Sequence, residues 1–287
     1  MNTIKTAALL ALMTGLLMVV GQLVGGHSGM ILMFFISLGI NFYTYWNCAS
    51  MVLKAYDAIE ITPQNNPAIF QVVQKLVTQA NLPMPRVYLI QSDVPNAFAT
   101  GRDPEHAAVA LTTGIMNLLT VDEIEGVLAH ELGHVKHRDI LISTIVASMA
   151  GFIAMVANML QWTAIFGGND EEGNSNPLAL IGTIILAPLA ATLIQMAVSR
   201  SREYAADMEG AIISRKPLSL ASALAKIEHY ANYGSLPSQN QGQVSATAHM
   251  FIINPLSGLS STVTQLFSTH PSTESRIQRL REIASRI

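Results

Sequence analysis

The chain has 287 residues, half of them hydrophobic, and its 16 Lys and Arg against 19 Asp and Glu leave a net charge of −3. Charged residues make up 12%, half of the roughly one quarter usual for a soluble domain. The mild acidity, with no basic run longer than Arg215-Lys216, excludes a nucleic-acid footprint. The single cysteine, Cys48, excludes an internal disulfide; in an apolar stretch it is no metal ligand, and its solitude suits a reducing compartment.

The shortage of charge is local. Residues 6–53, 140–169 and 173–199 contain no Asp, Glu, Lys or Arg, and the remainder has a nearly ordinary composition. A helix needs about 20 apolar residues to cross a bilayer, which predicts spans at 5–24 and 31–53, parted by Gly25-Gly26-His27-Ser28-Gly29. A second pair follows at 140–165 and 177–199, joined by a connector holding Asp170, Glu171 and Glu172. A cleaved signal peptide fits poorly, because another long apolar segment follows at once. Every basic residue lies at Lys5, within 54–138, or from Arg200 onward. By the positive-inside rule both termini and the soluble part are cytoplasmic. The expected fold is a membrane α-helical protein with an α+β soluble domain and four transmembrane helices in two hairpins. It divides into a hairpin over 1–53, a first cytoplasmic half over 54–139, a second hairpin over 140–199 and a second cytoplasmic half over 200–287. Neither half suffices for a core, so the two are expected to fold together.

In the first half, apolar residues at Ile69, Val72, Val73, Leu76 and Val77 predict a helix over 66–80, stopped by Asn81, Pro83 and Pro85. Strands are expected at 86–90, 96–101 and 107–111, the last two around Asp103-Pro104. Helices follow at 113–119 and 121–137, the latter opened by Thr120, Asp122, Glu123 and Glu125 as favourable charge at a helix start. In the second half helices are expected after Arg200, at 217–233 and at 271–285, while 234–249 has loop composition and is the natural place for any self-cleavage.

His130-Glu131-Leu132-Gly133-His134 is the motif that carries chemistry. Histidines four apart share a helix face and can point nitrogen at one metal ion, with Glu131 beside it as a proton acceptor. Zinc acidifies bound water towards a pKa of about 7, and a catalytic site keeps one position open. The plain alternative is two histidines at the end of an amphipathic helix near a membrane. Two histidines leave the set one protein ligand short. Glu203 and Asp207, also four apart, are candidates for ligand and ligand-orienting carboxylate; His137 is another candidate ligand. His134 precedes the third span and Glu203 follows the fourth, so a membrane hairpin returns Glu203 to the side where His134 lies. The metal is then expected within roughly 10–15 Å of the bilayer.

Taken together, the four spans, His-Glu-Leu-Gly-His after two of them and Glu203-Tyr204-Ala205-Ala206-Asp207 after the other two resemble the HtpX family of bacterial membrane zinc metalloproteases, relatives of the CAAX prenyl proteases. The resemblance covers essentially the whole chain. It implies a mainly helical, zincin-like cytoplasmic domain with a small β-sheet, one Zn2+ per chain held by His130, His134 and Glu203 rather than His137, Glu131 as base, and Asp207 behind a ligand. It further implies that Asn96, Ala97 and Phe98 lie on a strand pairing with extended substrate, and that His270 and Arg276 approach the active site. Without the resemblance Asn96 reads as a turn residue, His270 as a loop histidine, and Arg276 as one of several arginines on a solvated or headgroup-facing helix face with Arg279 and Arg286. The implied activity is a metalloendopeptidase of the bacterial inner membrane, cutting misfolded or damaged membrane proteins and unfolded polypeptides at the cytoplasmic face as quality control under stress. The rivals are a site-specific processing protease of the CAAX type, whose larger set of spans encloses a chamber this chain lacks, and a non-catalytic zinc-binding scaffold.

Overall fold

The computed structural model describes residues 2–150, 153, 199–233, 250, 252 and 271–287. The chain starts with a long helix, α1 (Asn2–Ala55), interrupted at Gly25 and Gly26. Gly26 has φ 59° and ψ −149°, a backbone that side chains with a Cβ essentially never take. The break falls where the glycine-rich connector predicts it. The two arms fold back on each other: Asn41 Nδ2 donates to Thr14 Oγ1 (2.9 Å) and to the Leu10 carbonyl (3.1 Å). Such a bond keeps an amide satisfied in an apolar setting. The second arm, Gly25–Ala55, is long and apolar enough to cross a membrane; Ile4–Val19 and Ile140–Ala150 are shorter apolar helices. Most of the expected third span, the fourth span, the connector between them and the loop at 234–249 lie outside the described residues.

The soluble part is mainly helical around a four-stranded sheet. Its strands are β1 (Ile59–Ile61), β2 (Arg86–Ile90), β3 (Ala97–Gly101) and β4 (Ala107–Thr112), in the order β1-β2-β4-β3. β2 and β4 are parallel, with Val87 opposite Val109; β3 runs antiparallel to β4, with Ala99 opposite Val109. Three of these strands sit within a residue of the expected positions. β1 was not expected: three residues are too few to show an alternating pattern, and pairing with β2 is what makes Ile59–Ile61 a strand.

Among the described residues the further α-helices are α2 (Pro67–Ala80), α3 (Thr113–Leu118), α4 (Val121–Lys136), α5 (Ile140–Ala150), α6 (Arg200–Ser214), α7 (Pro217–Tyr233) and α8 (Thr273–Ala284). Asn66 caps α2 by accepting from the Ile69 N–H, and left-handed Asn81 (φ 55°) ends it. α4 lies at the centre, touching α2, α6, α7 and β3, and is buried on nearly every side. Its opening acids do more than complement the helix dipole. Thr120 and Glu123 form a reciprocal capping box, and Glu123 also accepts from Ser222 (2.7 Å) and Lys226 (2.8 Å) of α7. Glu125 takes Lys75 of α2 (2.5 Å) and Lys216 (2.7 Å). Both carboxylates are buried and tied to neighbouring elements; a helical pattern alone shows them only as first-turn charge.

Small residues set the α4–α6 distance. Gly133 faces Ala206, and a Cβ on Gly210 would stand 2.8 Å from the His130 backbone nitrogen. Real Cβ atoms do not come that close to backbone, so α6 packs this tightly only with glycine at 210. Gly210→Ala is expected to destabilise the protein by about 1–3 kcal/mol through overpacking and to loosen the site that these helices share. Thermal unfolding in detergent checks this; an unchanged midpoint would contradict the close approach.

Candidate metal centre

α4 turns His130 and His134 to one side, and α6 brings Glu203 between them. His130 Nε2 lies 3.8 Å from Glu203 Oε2, and His134 Nε2 lies 3.6 Å from Glu203 Oε1. One donor atom from each of the three residues falls within 4.8 Å of the others. A zinc ion with bonds of about 2.0–2.2 Å in tetrahedral array holds its donors roughly 3.3–3.6 Å apart. Two imidazoles and a carboxylate are donor types that Zn2+ takes; the two histidine–glutamate separations are close to that spacing, and the set as a whole, spread over up to 4.8 Å, would draw in around the ion.

The rings are held by the carboxylates behind them. His130 Nδ1 is 2.9 Å from Asp207 Oδ1, which leaves Nε2 for the metal side. Asp207 is in turn gripped at both oxygens by Arg276, from Nε (2.8 Å) and Nη2 (2.7 Å), while Arg276 Nη1 donates to the Ile252 carbonyl (2.9 Å). Arg276 is only 1% exposed, so the solvated or headgroup-facing alternative for it does not hold. Arg279, expected on the same face, stacks on Tyr204 with its guanidinium carbon 3.7 Å from the ring centroid. Burial opposes charge on Asp207, yet Arg276 outweighs it and holds the carboxyl at a pKa of about 2. At His130, burial is the larger influence and lowers the ring's pKa despite Asp207.

His134 is supported by a residue that sequence reasoning missed. Arg138 takes a left-handed φ of 56° just past α4, and the Asp139 N–H bonds back to the His134 carbonyl (2.9 Å). This turn sets Asp139 Oδ2 3.6 Å from His134 Nδ1. In the sequence, an aspartate just past a helix reads as an ordinary helix-ending turn. Burial works against charge on His134, but Asp139, Glu203 and Glu131 override it and raise its pKa to about 9.

Glu131 projects beside the donors. One of its oxygens accepts from the backbone N–H of Ala99 on β3 (2.9 Å). Burial, opposed by His134 and reinforced by Glu203, raises its pKa to about 7. Ala99, Ser143, Met250 and Ile252 join His130, Glu131, His134, Asp139 and Glu203 around the small cleft. Of the three strand residues expected to meet substrate, Asn96 is buried and bonded through its backbone to Thr112, and Ala97 lies on β3 with its side chain in the main core. Phe98 packs with Val52, Leu53 and Tyr56 on the α1 side of the sheet. What β3 presents to the cleft is backbone. His137 faces Glu209 (3.6 Å), apart from the donor set, and His270 lies outside the described residues.

Metal binding needs a neutral His134, and the unliganded ring keeps its proton to about pH 9. Zinc uptake must displace that proton, so affinity is expected to fall about tenfold per pH unit as pH drops below 9. Chelator competition at several pH values measures this; a flat affinity from pH 6 to 8 would show that His134 is not so protonated. Asp139→Asn is expected to weaken zinc binding about 10–100-fold, read by the same competition.

The sequence profile of peptidase family M48 matches residues 63–284. A protease HtpX homolog from Desulforapulum autotrophicum is 53% identical over 283 residues, covering 98% of this chain and 89% of that one. One from Burkholderia lata is 54% identical over 284 residues, covering 99% and 97%. Among solved structures, Ste24p of S. mikatae aligns with a TM-score of 0.46 at 17% identity, over 97% of this chain and 65% of the length of that one.

Proposed function

The chain belongs to peptidase family M48 and, within it, to the HtpX proteases, and from that premise we propose how it cuts and where. It is a zinc-dependent membrane metalloendopeptidase of protein quality control, with one Zn2+ site. The observation that carries the reading is the convergence of His130, His134 and Glu203 beside a buried Glu131 that is not itself among the donors.

Zinc held there would polarise the scissile carbonyl and acidify the attacking water. Glu131 takes the proton from that water and passes it to the departing amide nitrogen. Burial favours the protonated form of Glu131, which suits a group that must hold a proton between the two transfers, and the Ala99 N–H holds one of its oxygens. Asp207 keeps His130 in the tautomer that offers Nε2, and Arg276 keeps Asp207 charged and in place. Arg276 acts through Asp207 and also directly on two donors, with Nη1 3.5 Å from Glu203 Oε2 and Nη2 3.4 Å from His130 Nε2, and is a positioning residue.

Substrate selection follows from β3. Asn96 is hydrogen-bonded to Thr112 across the β3–β4 pair, so backbone groups alternate along the strand and those of Ala97 and Ala99 point to the other edge. The Ala99 N–H is taken by Glu131 and the Gly101 N–H by Thr144, so an extended polypeptide adding to that edge is gripped by the main chain of Ala97 and the Ala99 carbonyl, which requires unfolding but little sequence. Misfolded membrane proteins and unfolded chains meet that requirement. The cleft is at the cytoplasmic face of a bacterial inner membrane, below which four spans in two hairpins anchor a zincin-like domain with both termini cytoplasmic. The basic residues support that orientation.

Glu131→Gln is expected to bind zinc with little loss and to cleave an unfolded model protein about 10²–10⁴-fold more slowly; equal cleavage would remove Glu131 from the mechanism. Arg276→Lys keeps the charge but loses the two-point grip, and is expected to lower both zinc affinity and kcat/KM about tenfold or more. Preference for a prenylated peptide over an unmodified unfolded chain would favour the site-specific processing alternative.

A further inference from the structure

The outer face of the second arm of α1 is apolar and exposed at Leu32, Phe35, Phe42, Tyr43 and Trp46. Phe35, Phe42, Tyr43 and Trp46 share one face by helical spacing, and the rings of Phe42 and Trp46 are 6.0 Å apart. This band stops at Trp46. Beyond it, Cys48, Val52 and Leu53 are covered, the last two by Phe98, Ala108 and Ala110 of the sheet. From Gly25 to Trp46 a helix rises about 31 Å, close to the hydrocarbon thickness of about 30 Å. With Gly25 at one boundary of the hydrocarbon, Trp46 would stand at the other, the level at which tryptophans collect between acyl chains and headgroups.

At that level the end of the sheet meets the helix. β2 begins at Arg86, β3 ends at Gly101 and β4 begins at Ala107, so Arg86, Arg102 and His106 all gather at one end. The Arg102 guanidinium carbon lies 4.5 Å from the centroid of the Trp46 ring. A pocket opens between them, lined by Trp46, Ser50, Arg86, Arg102, Glu105 and His106. Asp103 lies 2.6 Å from His106 Nδ1 and 3.4 Å from Arg102 Nε, and Glu105 lines the pocket itself, so two carboxylates offset part of the positive charge. Arg86 has no carboxylate partner among the described residues.

We propose that this pocket binds the phosphate headgroup of an anionic phospholipid, with the acyl chains lying along the Phe35, Phe42 and Tyr43 face. The two arginines supply charge and forked donors for the phosphate, and the exposed aromatic stripe supplies the apolar continuation that free phosphate would not use. The site rests on the reading that Gly25–Ala55 crosses the bilayer. It also has a consequence for catalysis. Ala99, which contacts Glu131, lies three residues before Arg102, about 10 Å along extended chain. A lipid held at Arg102 therefore fixes the height of the cleft above the bilayer.

Trp46 is one of two tryptophans, so Trp162→Phe makes it the sole reporter in the full chain. The protein is reconstituted in phosphatidylcholine vesicles containing a minor fraction of phosphatidylglycerol, with bromine on the acyl chains of one lipid or the other. Stronger quenching per molecule by brominated phosphatidylglycerol is expected. That preference should fall about fivefold for each arginine removed in Arg86→Gln and Arg102→Gln, while quenching by fully brominated phosphatidylcholine persists. Zinc-dependent cleavage in detergent shows that the variants are folded. Equal quenching by the two lipids would overturn the headgroup site. Loss of the preference on adding inorganic phosphate, but not chloride of equal ionic strength, would assign the pocket to free phosphate and overturn the lipid. Absence of quenching by any lipid would instead overturn the membrane placement of the helix.

Discussion

The close approach of α4 and α6 is the constraint on which the rest of the structure depends. Glycines at 133 and 210 and alanine at 206 let the two helices come nearly backbone to backbone. Only at that distance does a glutamate on one helix reach between two histidines on the other. A larger side chain at the contact would widen the gap while leaving every ligand present, and the metal geometry would still be lost. The site is a property of a helix–helix distance before it is a property of three residues.

Burying so much charge at that contact is unfavourable unless each group is paired. The structure answers with chains of partners. Arg276 neutralises Asp207, Asp207 orients His130, and Asp139 backs His134 after a left-handed turn at Arg138. At the other end of α4, Glu123 and Glu125 are buried against Lys75, Lys216 and Lys226 from three directions. α4 is thereby pinned at both ends by ionic contacts and along its length by apolar packing. A catalytic helix held in this way places Glu131 against the Ala99 N–H without relying on a flexible loop.

The same sheet meets both the cleft and the second arm of α1. One edge of β3 reaches Glu131, while the end of the sheet rests on α1 beside Trp46 and Arg102. Thr144, one turn into α5, accepts from the Gly101 N–H at 3.1 Å, so the helix that leaves the active site also starts from the end of β3. β3, α4, α5 and the second arm of α1 therefore form one continuous framework.

Much of this was legible in the chain. Among the described residues the first charge-free stretch and the start of the second are apolar helices, as the cost of charge inside lipid leads one to expect, and Gly25-Gly26 marks the bend because only glycine takes that backbone. Helix and strand positions followed from local periodicity and caps, and His130, Glu131 and His134 from the spacing of a single helical turn. Glu203 and Asp207 needed the family resemblance as well as their own spacing, since they lie across a long insertion. Tertiary structure alone decided the rest. Asp139 joins the site through a turn and Ala99 through a backbone N–H that has no residue signature, while Arg276, which the resemblance already sets near the site, is turned inward and buried by the fold although its helical spacing alone reads as solvated. β1 exists only because β2 pairs with it, and Glu123 and Glu125 are buried only because lysines from other helices meet them. Local pattern records the interactions between residues near in sequence; contacts between distant residues depend on distances that only the folded chain sets.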